Sequence, residues 1–214
     1  MKIKGCISPQ LKKREGKYIE GAEEGMLFNT VTNELFSGVE VIPCAYKRLL
    51  IEWVPREQQG GFVFAHDPES GILKETTKNE RGQDILPNGN YLANTAQHYV
   101  LLLSPIYGPT QALVSMTSTQ LKKSRRWNTQ MVSQTIKLNE GGIKPMPSFS
   151  SVYNLSTCPE TNQHGTWFGY EIGERRPATS EEFQMGAAFY QAVTAGTIKA
   201  TVPEQEESSD EVPF

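Results

Sequence analysis

From residue 39 to residue 116 the chain is a series of β-forming stretches broken by Pro, Gly and Asn, with no strand–helix alternation. That absence constrains the fold most. A doubly wound parallel sheet needs a crossover helix after each strand, and only two windows in 214 residues have helical spacing. The pattern predicts strands over 39–43 and 46–54, separated at Pro43, which has no N–H to give to a ladder. Further strands are predicted over 62–65, over 90–94 and 97–103 with a tight turn between them, and over 111–116, 150–156 and 166–172. The polar stretch 67–89 carries turn signals at Asp67-Pro68 and Pro87-Asn88-Gly89. One helix is predicted over 117–134, which lacks Gly and Pro, opens on Thr117, Ser118 and Thr119, and has a modest apolar stripe of Leu121, Asn128, Met131 and Val132. A second follows the capping-box tetrad Thr179-Ser180-Glu181-Glu182 and runs to Gly196. Seven to nine short strands and two helices suit a mainly β fold, an OB-like small barrel or curled antiparallel sheet with an inserted helix and a C-terminal helix.

Composition removes several classes. No run approaches 18 apolar residues, so no membrane-crossing helix is expected, and the first residues lack the apolar core of a secretory signal. Cys6, Cys44 and Cys158 are odd in number and widely spaced, which gives neither a disulfide framework nor a metal knuckle and suits a reducing cytoplasm. The nucleotide-loop, zinc-protease and serine-hydrolase signatures are missing, so neither enzymatic activity nor a cofactor is expected. His66 with Asp67, and Cys158 with His164, are the nearest approaches to metal pairs, and neither has a second pair at regular spacing. His66-Asp67 more simply opens a turn before Pro68. A metal-dependent nuclease built on that pair is a distant alternative. Glu23-Glu24 and Glu181-Glu182 are solvated charges, the latter placed to complement a helix dipole.

The formal charge of −3 divides unevenly. Residues 203–214 hold five of the 24 acids and no base, leaving 19 acids against 21 bases, a body of +2. A segment so rich in Glu, Ser and Pro cannot bury enough apolar surface to offset its ordering entropy. The expected organisation is a basic, partly ordered leader over 1–24 with a short strand near 17–20, one domain over 25–200, and a disordered acidic tail over 201–214.

Within the body, aromatic residues and cations interleave. Tyr46-Lys47-Arg48 precedes Trp53, Arg56, Phe62 and Phe64. Lys122-Lys123-Ser124-Arg125-Arg126-Trp127 puts four cations in five residues, and Trp167-Phe168-Gly169-Tyr170 follows. Single-stranded nucleic acid is held by this mixture, cations tracking phosphates while rings stack on bases at about 1–3 kcal/mol each. The candidate contacts are Lys47, Arg48, Trp53, Arg56, Phe62, Lys122, Lys123, Arg125, Arg126, Trp127 and Trp167. Each ring is equally a candidate for the core of a β-domain, and the cations for a solvated helix face. On an ideal helix Lys122 shares a face with Arg126, and Lys123 with Trp127. Neutralising about four phosphates of a single strand gives a salt slope near −3.

The C-terminus is the most informative stretch. Asp210-Glu211-Val212-Pro213-Phe214 ends on a residue bearing both a ring and the α-carboxylate, which can enter an apolar pocket beside a basic residue. This resembles the acidic tip of bacterial single-stranded DNA-binding proteins, a run of acids, a β-branched residue, Pro and a terminal Phe. Here Ser208-Ser209 interrupts the acids and Val212 takes the β-branched place. The body does not follow that family's strands. Residues 41–48, 51–56 and 118–128, with the tail, are instead similar to phage and prophage replication-associated proteins that bind single-stranded DNA, over about 25–214. The resemblance implies an OB-like body, cooperative coverage of single strands in the host bacterium's cytoplasm, and recruitment of replication or recombination enzymes through Asp210, Glu211, Val212, Pro213 and Phe214. Homo-oligomers are compatible with it. Extended, the last twelve residues reach about 40 Å, enough to fold back and compete with DNA for a basic groove. The alternative is a phage interaction or virion-associated structural protein that uses the same domain and tail without DNA.

Overall fold

The structure, a computed structural model, describes residues 2–5, 18–162 and 165–198. Strands β1 (Lys2–Gly5), β2 (Leu27–Asn29), β3 (Leu35–Phe36), β4 (Gly38–Val54) and β5 (Gly61–His66) come first. The two-residue strands β6 (Thr77–Lys78) and β7 (Asp84–Ile85) lead to β8 (Tyr91–Ser104) and β9 (Gly108–Thr117). A 3-10 turn at Ser118–Gln120 then enters helix α1 (Leu121–Val132). A small separate hairpin, β10 (Thr135–Lys137) with β11 (Ile143–Pro145), and a long one, β12 (Ser151–Asn162) with β13 (Gly165–Pro177), precede helix α2 (Ser180–Thr194).

The main sheet runs β13-β12-β4-β8-β9-β1-β2-β3 and curls into an antiparallel half-barrel consistent with an OB-like fold, with β1 alongside β9 as a parallel pair. The mainly β class with two helices is therefore present. The strands, however, are longer than their sequence pattern suggests. The stretches expected as 39–43 and 46–54 are one 17-residue strand, β4. Pro43 does not break it: it stays in register with Val100, and the irregularity falls just after it, where Cys44 is left without a partner residue before Ala45 pairs with Tyr99. The turn expected between 94 and 97 is likewise absent. Thr95 and Ala96 pair with Leu49 and Arg48 on one side and with Thr117 and Met116 on the other. The leader's strand is at Lys2–Gly5, inside the sheet, and residues 18–20 form none. Residues 201–214 lie outside the described residues.

The alternation of β4 and β8 sends apolar residues to both faces of the sheet, and one helix covers each. Val39, Val41, Ala96, Val100 and Leu102 face α1, while Ile42, Cys44, Tyr99 and Leu101 face α2. Burial pushes the Cys44 thiol up to about 12, so it is inert as a nucleophile. Helix α2 turns Gly186, Phe189 and Val193 inward. Gly186 permits close approach, since a Cβ there would lie 2.7 Å from the Cβ of Phe149. Among the described residues no helix is long and apolar enough to cross a membrane.

The capping box forms as expected. The Thr179 hydroxyl accepts from the Glu182 N–H at 3.2 Å, and the Glu182 carboxylate accepts from the Thr179 N–H at 2.8 Å. Arg176, at the end of β13, ties this cap to β4 by donating to both oxygens of Glu182 and both of Glu40, at 2.8–2.9 Å. Its hydrogen bonds hold Glu182 at about 2, down from 4.5, and hold Glu40 below the same ordinary value. Both shifts are downward, so their contribution is complete above about pH 4.5 and is lost as pH falls toward 2. Urea unfolding is expected to show lower stability at pH 3 than at pH 6. Arg176→Ala should cost about 2 kcal/mol at pH 6 and shrink that difference. An Arg176→Ala protein with an unaltered pH profile would show that the pairing contributes nothing.

Candidate nucleic-acid interface

Helix α1 is held to the sheet by Ser124, Trp127 and Met131, three buried residues at helical spacing. The expected stripe is displaced: Asn128 is half-buried, and Val132 is 73% exposed. The phase is set from β8. His98 is fully buried, its Nε2 lies 2.8 Å from the Ser124 hydroxyl, and its ring stacks on Trp127 at 4.6 Å. Burial pushes His98 down to about 3, so the imidazole is neutral. Tyr46 lies against His98 at 5.1 Å and Tyr153 meets Trp127 edge-on at 5.8 Å, which completes a row of four rings. Trp127 is 0% exposed. It belongs to the core and cannot stack on a base, which corrects its place among the candidate contacts.

With that stripe inward, the cations take the outer side. Lys122, Arg125 and Arg126 are exposed. Arg125 donates to the Leu121 carbonyl at 3.4 Å, whereas Lys122 and Arg126 have no ion-pair partner among the described residues. Lys123 points to the long hairpin, where its Nζ is 2.6 Å from Glu160 Oε1. Burial alone would lower this amine, but the Glu160 hydrogen bond and charge override it and raise the pKa above 10.5. Glu160 also accepts from the Trp167 indole N–H at 3.1 Å. Lys123 and Trp167 thus meet in one knot that fastens the hairpin to α1, with the Lys123 charge already compensated.

The Pro43–Ala45 irregularity directs Tyr46 and Arg48 to the α1 side and Lys47 to the α2 side. Arg48 Nε donates to Asn94 Oδ1 at 3.0 Å, and the Lys47 ammonium sits 5.5 Å over the Tyr99 ring. All three are exposed although they lie mid-strand. On that edge β12 pairs with residues 38–41 and β5 with residues 50–54, and no described strand pairs between them.

At the far end of β4, Trp53 and Phe62 are half-buried and meet edge-to-face at 6.1 Å. Phe64 is 59% exposed beside His66, and Arg56 is exposed in the Arg56–Gln58 turn. His66 is engaged by the buried Glu52 at 2.8 Å, which also accepts from Asn90 and Asn88. Burial opposes ionisation of Glu52, but these three hydrogen bonds outweigh it and lower the pKa. Asp67 caps the Pro68–Ser70 turn by accepting from the Glu69 N–H at 2.7 Å. The turn reading of His66-Asp67 therefore describes them, and among the described residues no three His, Cys, Asp or Glu side chains come together as metal ligands. His164 and the tip residues 210–214 lie outside the described residues. Tyr46 and Phe64 are exposed rings as well, although neither was among the candidate contacts. The signal for both was their alternation with cations and β-formers.

A family model described as Pam3 phage gp34-like protein matches residues 1–199. No curated protein and no solved structure matches the chain. Because the matched region takes in the whole described sheet and both helices, the chain belongs to the Pam3 phage gp34-like protein family.

Proposed function

We propose that this phage protein binds single-stranded DNA without sequence preference during replication or recombination of the phage genome. In this reading its acidic tip recruits partner proteins and competes with DNA. The observation that carries it is the outer side of α1, where Lys122, Arg125 and Arg126 are exposed and, among the described residues, Lys122 and Arg126 lack a carboxylate partner. Exposed cations track phosphates in a sequence-tolerant way, and Tyr46 and Phe64 offer accessible π-faces on the same domain. No catalytic step is required of any residue.

The test is fluorescence anisotropy of labelled oligo-dT and of a mixed-sequence single strand, titrated with the full chain and with a chain ending at residue 203, over a salt series. Both oligonucleotides should bind comparably, and more weakly as salt rises. The shortened chain should bind more tightly at low salt. Failure to bind either strand, with no gel shift, would overturn the reading. Equal affinities of the two chains at every salt concentration would remove the competition by the tail.

A further inference from the structure

Beyond the cations, the outer ridge of α1 continues to its C-terminal end. On a helix, positions 122, 126 and 130 follow one another along the surface, and 133 falls close to the same line. Lys122 and Arg126 therefore lead, over a helix about 18 Å long, to Gln130 and Ser133. There the ridge opens into a groove of about 560 Å³ that α1 shares with β12 and β13, lined by Gln130, Ser133, Gln134, Tyr153, Gly173 and Arg175 among others. Among the described residues no Asp or Glu lines it.

Arg175 is the one cation among the described residues that line the groove. One guanidinium nitrogen, Nη1, donates to Gln134 Oε1 at 2.9 Å and to Ser151 Oγ at 3.3 Å, which fixes its direction. Its remaining N–H groups have no hydrogen-bond partner among the described residues, and no carboxylate pairs with it. Tyr153, 2% exposed as a residue, also lines the groove, and its hydroxyl lies against the side chain of Gln134, another lining residue. That oxygen accepts from the Gln134 amide, so the phenolic proton is left to donate. Burial raises the Tyr153 pKa above 10 and keeps that proton in place. A helix C-terminus would normally repel an anion, but three carbonyls of the last turn already accept hydrogen bonds. Gln130 accepts from the Ser133 hydroxyl and the Gln134 amide, Thr129 from the Ser133 N–H, and Met131 from the Gln134 N–H. Gly173 contributes no side chain to fill the space.

We infer that the groove between α1 and the β12–β13 hairpin is a phosphate subsite. Arg175 and the Tyr153 hydroxyl receive a phosphodiester of the strand that Lys122 and Arg126, with Arg125 beside them, hold further along the helix. This rests on the single-strand reading above and extends the DNA path to the helix's far end.

The experiment uses the full chain with Arg175→Gln and Arg175→Lys, measuring oligo-dT anisotropy against salt alongside thermal unfolding. Arg175→Gln should weaken binding about five- to tenfold at low salt and flatten the salt slope by about 0.7, the share of one phosphate. Arg175→Lys should keep the slope, which separates charge from any effect of losing the Gln134 and Ser151 bonds. Wild-type binding with an unchanged slope in Arg175→Gln would overturn the subsite and leave the single-strand reading standing. No wild-type binding would overturn both. Thymidine monophosphate that binds more tightly than the oligonucleotide would overturn the assignment to a strand phosphodiester.

Discussion

Trp127→Ala is expected to lower the unfolding free energy by about 3–5 kcal/mol, measured by urea denaturation followed by far-UV circular dichroism. The indole is fully buried and stacks on a neutral His98, with Tyr153 packed edge-on behind it. Ser124 and Met131, its companions on the buried stripe of α1, cannot fill so large a vacancy. Removing it also takes the packing from one side of the His98–Ser124 hydrogen bond. Trp127→Phe should cost much less. It keeps a ring against His98 and discards a buried indole N–H that has no partner among the described residues. A loss below about 1 kcal/mol in Trp127→Ala would contradict a core position for the indole. The pair of variants also separates two roles for the same ring. A base-stacking tryptophan would show lost DNA affinity with stability intact, whereas a core tryptophan shows the reverse.

That ring shows where sequence reasoning succeeds and where it ends. The Thr179–Glu182 cap is legible because its partners are three residues apart and local chemistry decides the outcome. The β5 strand and the Asp67 turn are local in the same sense. Trp127 is not. Following four cations, it fits the pattern of a single-strand binder, but the rotation of α1 is fixed by Ser124 reaching His98 across 26 positions of chain. The same non-local logic neutralises Lys123, whose partner Glu160 arrives only when the long hairpin folds back. Pro43 exceeds its local rule for a related reason. A proline is unfavourable in a regular ladder, but a 17-residue strand with neighbours on both edges recovers more from continuing than it loses at one irregularity. The interleaving of rings and cations picked out Lys47, Arg48, Arg56, Lys122, Arg125 and Arg126 as candidate contacts, and all six side chains are exposed. It did not separate them from Lys123 and Trp127, because exposure depends on contacts that periodicity cannot see.

The largest effect on binding is expected from Lys122→Gln, Arg125→Gln and Arg126→Gln combined. Each exposed cation that meets a phosphate of a single strand contributes about 0.7 to the slope of log affinity against log salt. Losing three should flatten the slope by about 2 and weaken oligo-dT binding at low salt by about two orders of magnitude. Stability should scarcely change, because exposed charges away from caps and cores contribute little. Lys123→Gln is the informative contrast. Its ammonium is held by Glu160, so its removal should leave the slope nearly intact while loosening the hairpin from α1, visible as a lower unfolding midpoint. If Lys123→Gln flattens the slope as much as one of the other cations does, the pair with Glu160 opens to admit DNA. If the triple variant keeps the wild-type slope, the strand does not run along α1, and the edge of β4 at Lys47 and Arg48 becomes the surface to substitute next. The two failures are distinguishable in one salt series, because the first changes which helix residues count and the second changes which element carries the DNA.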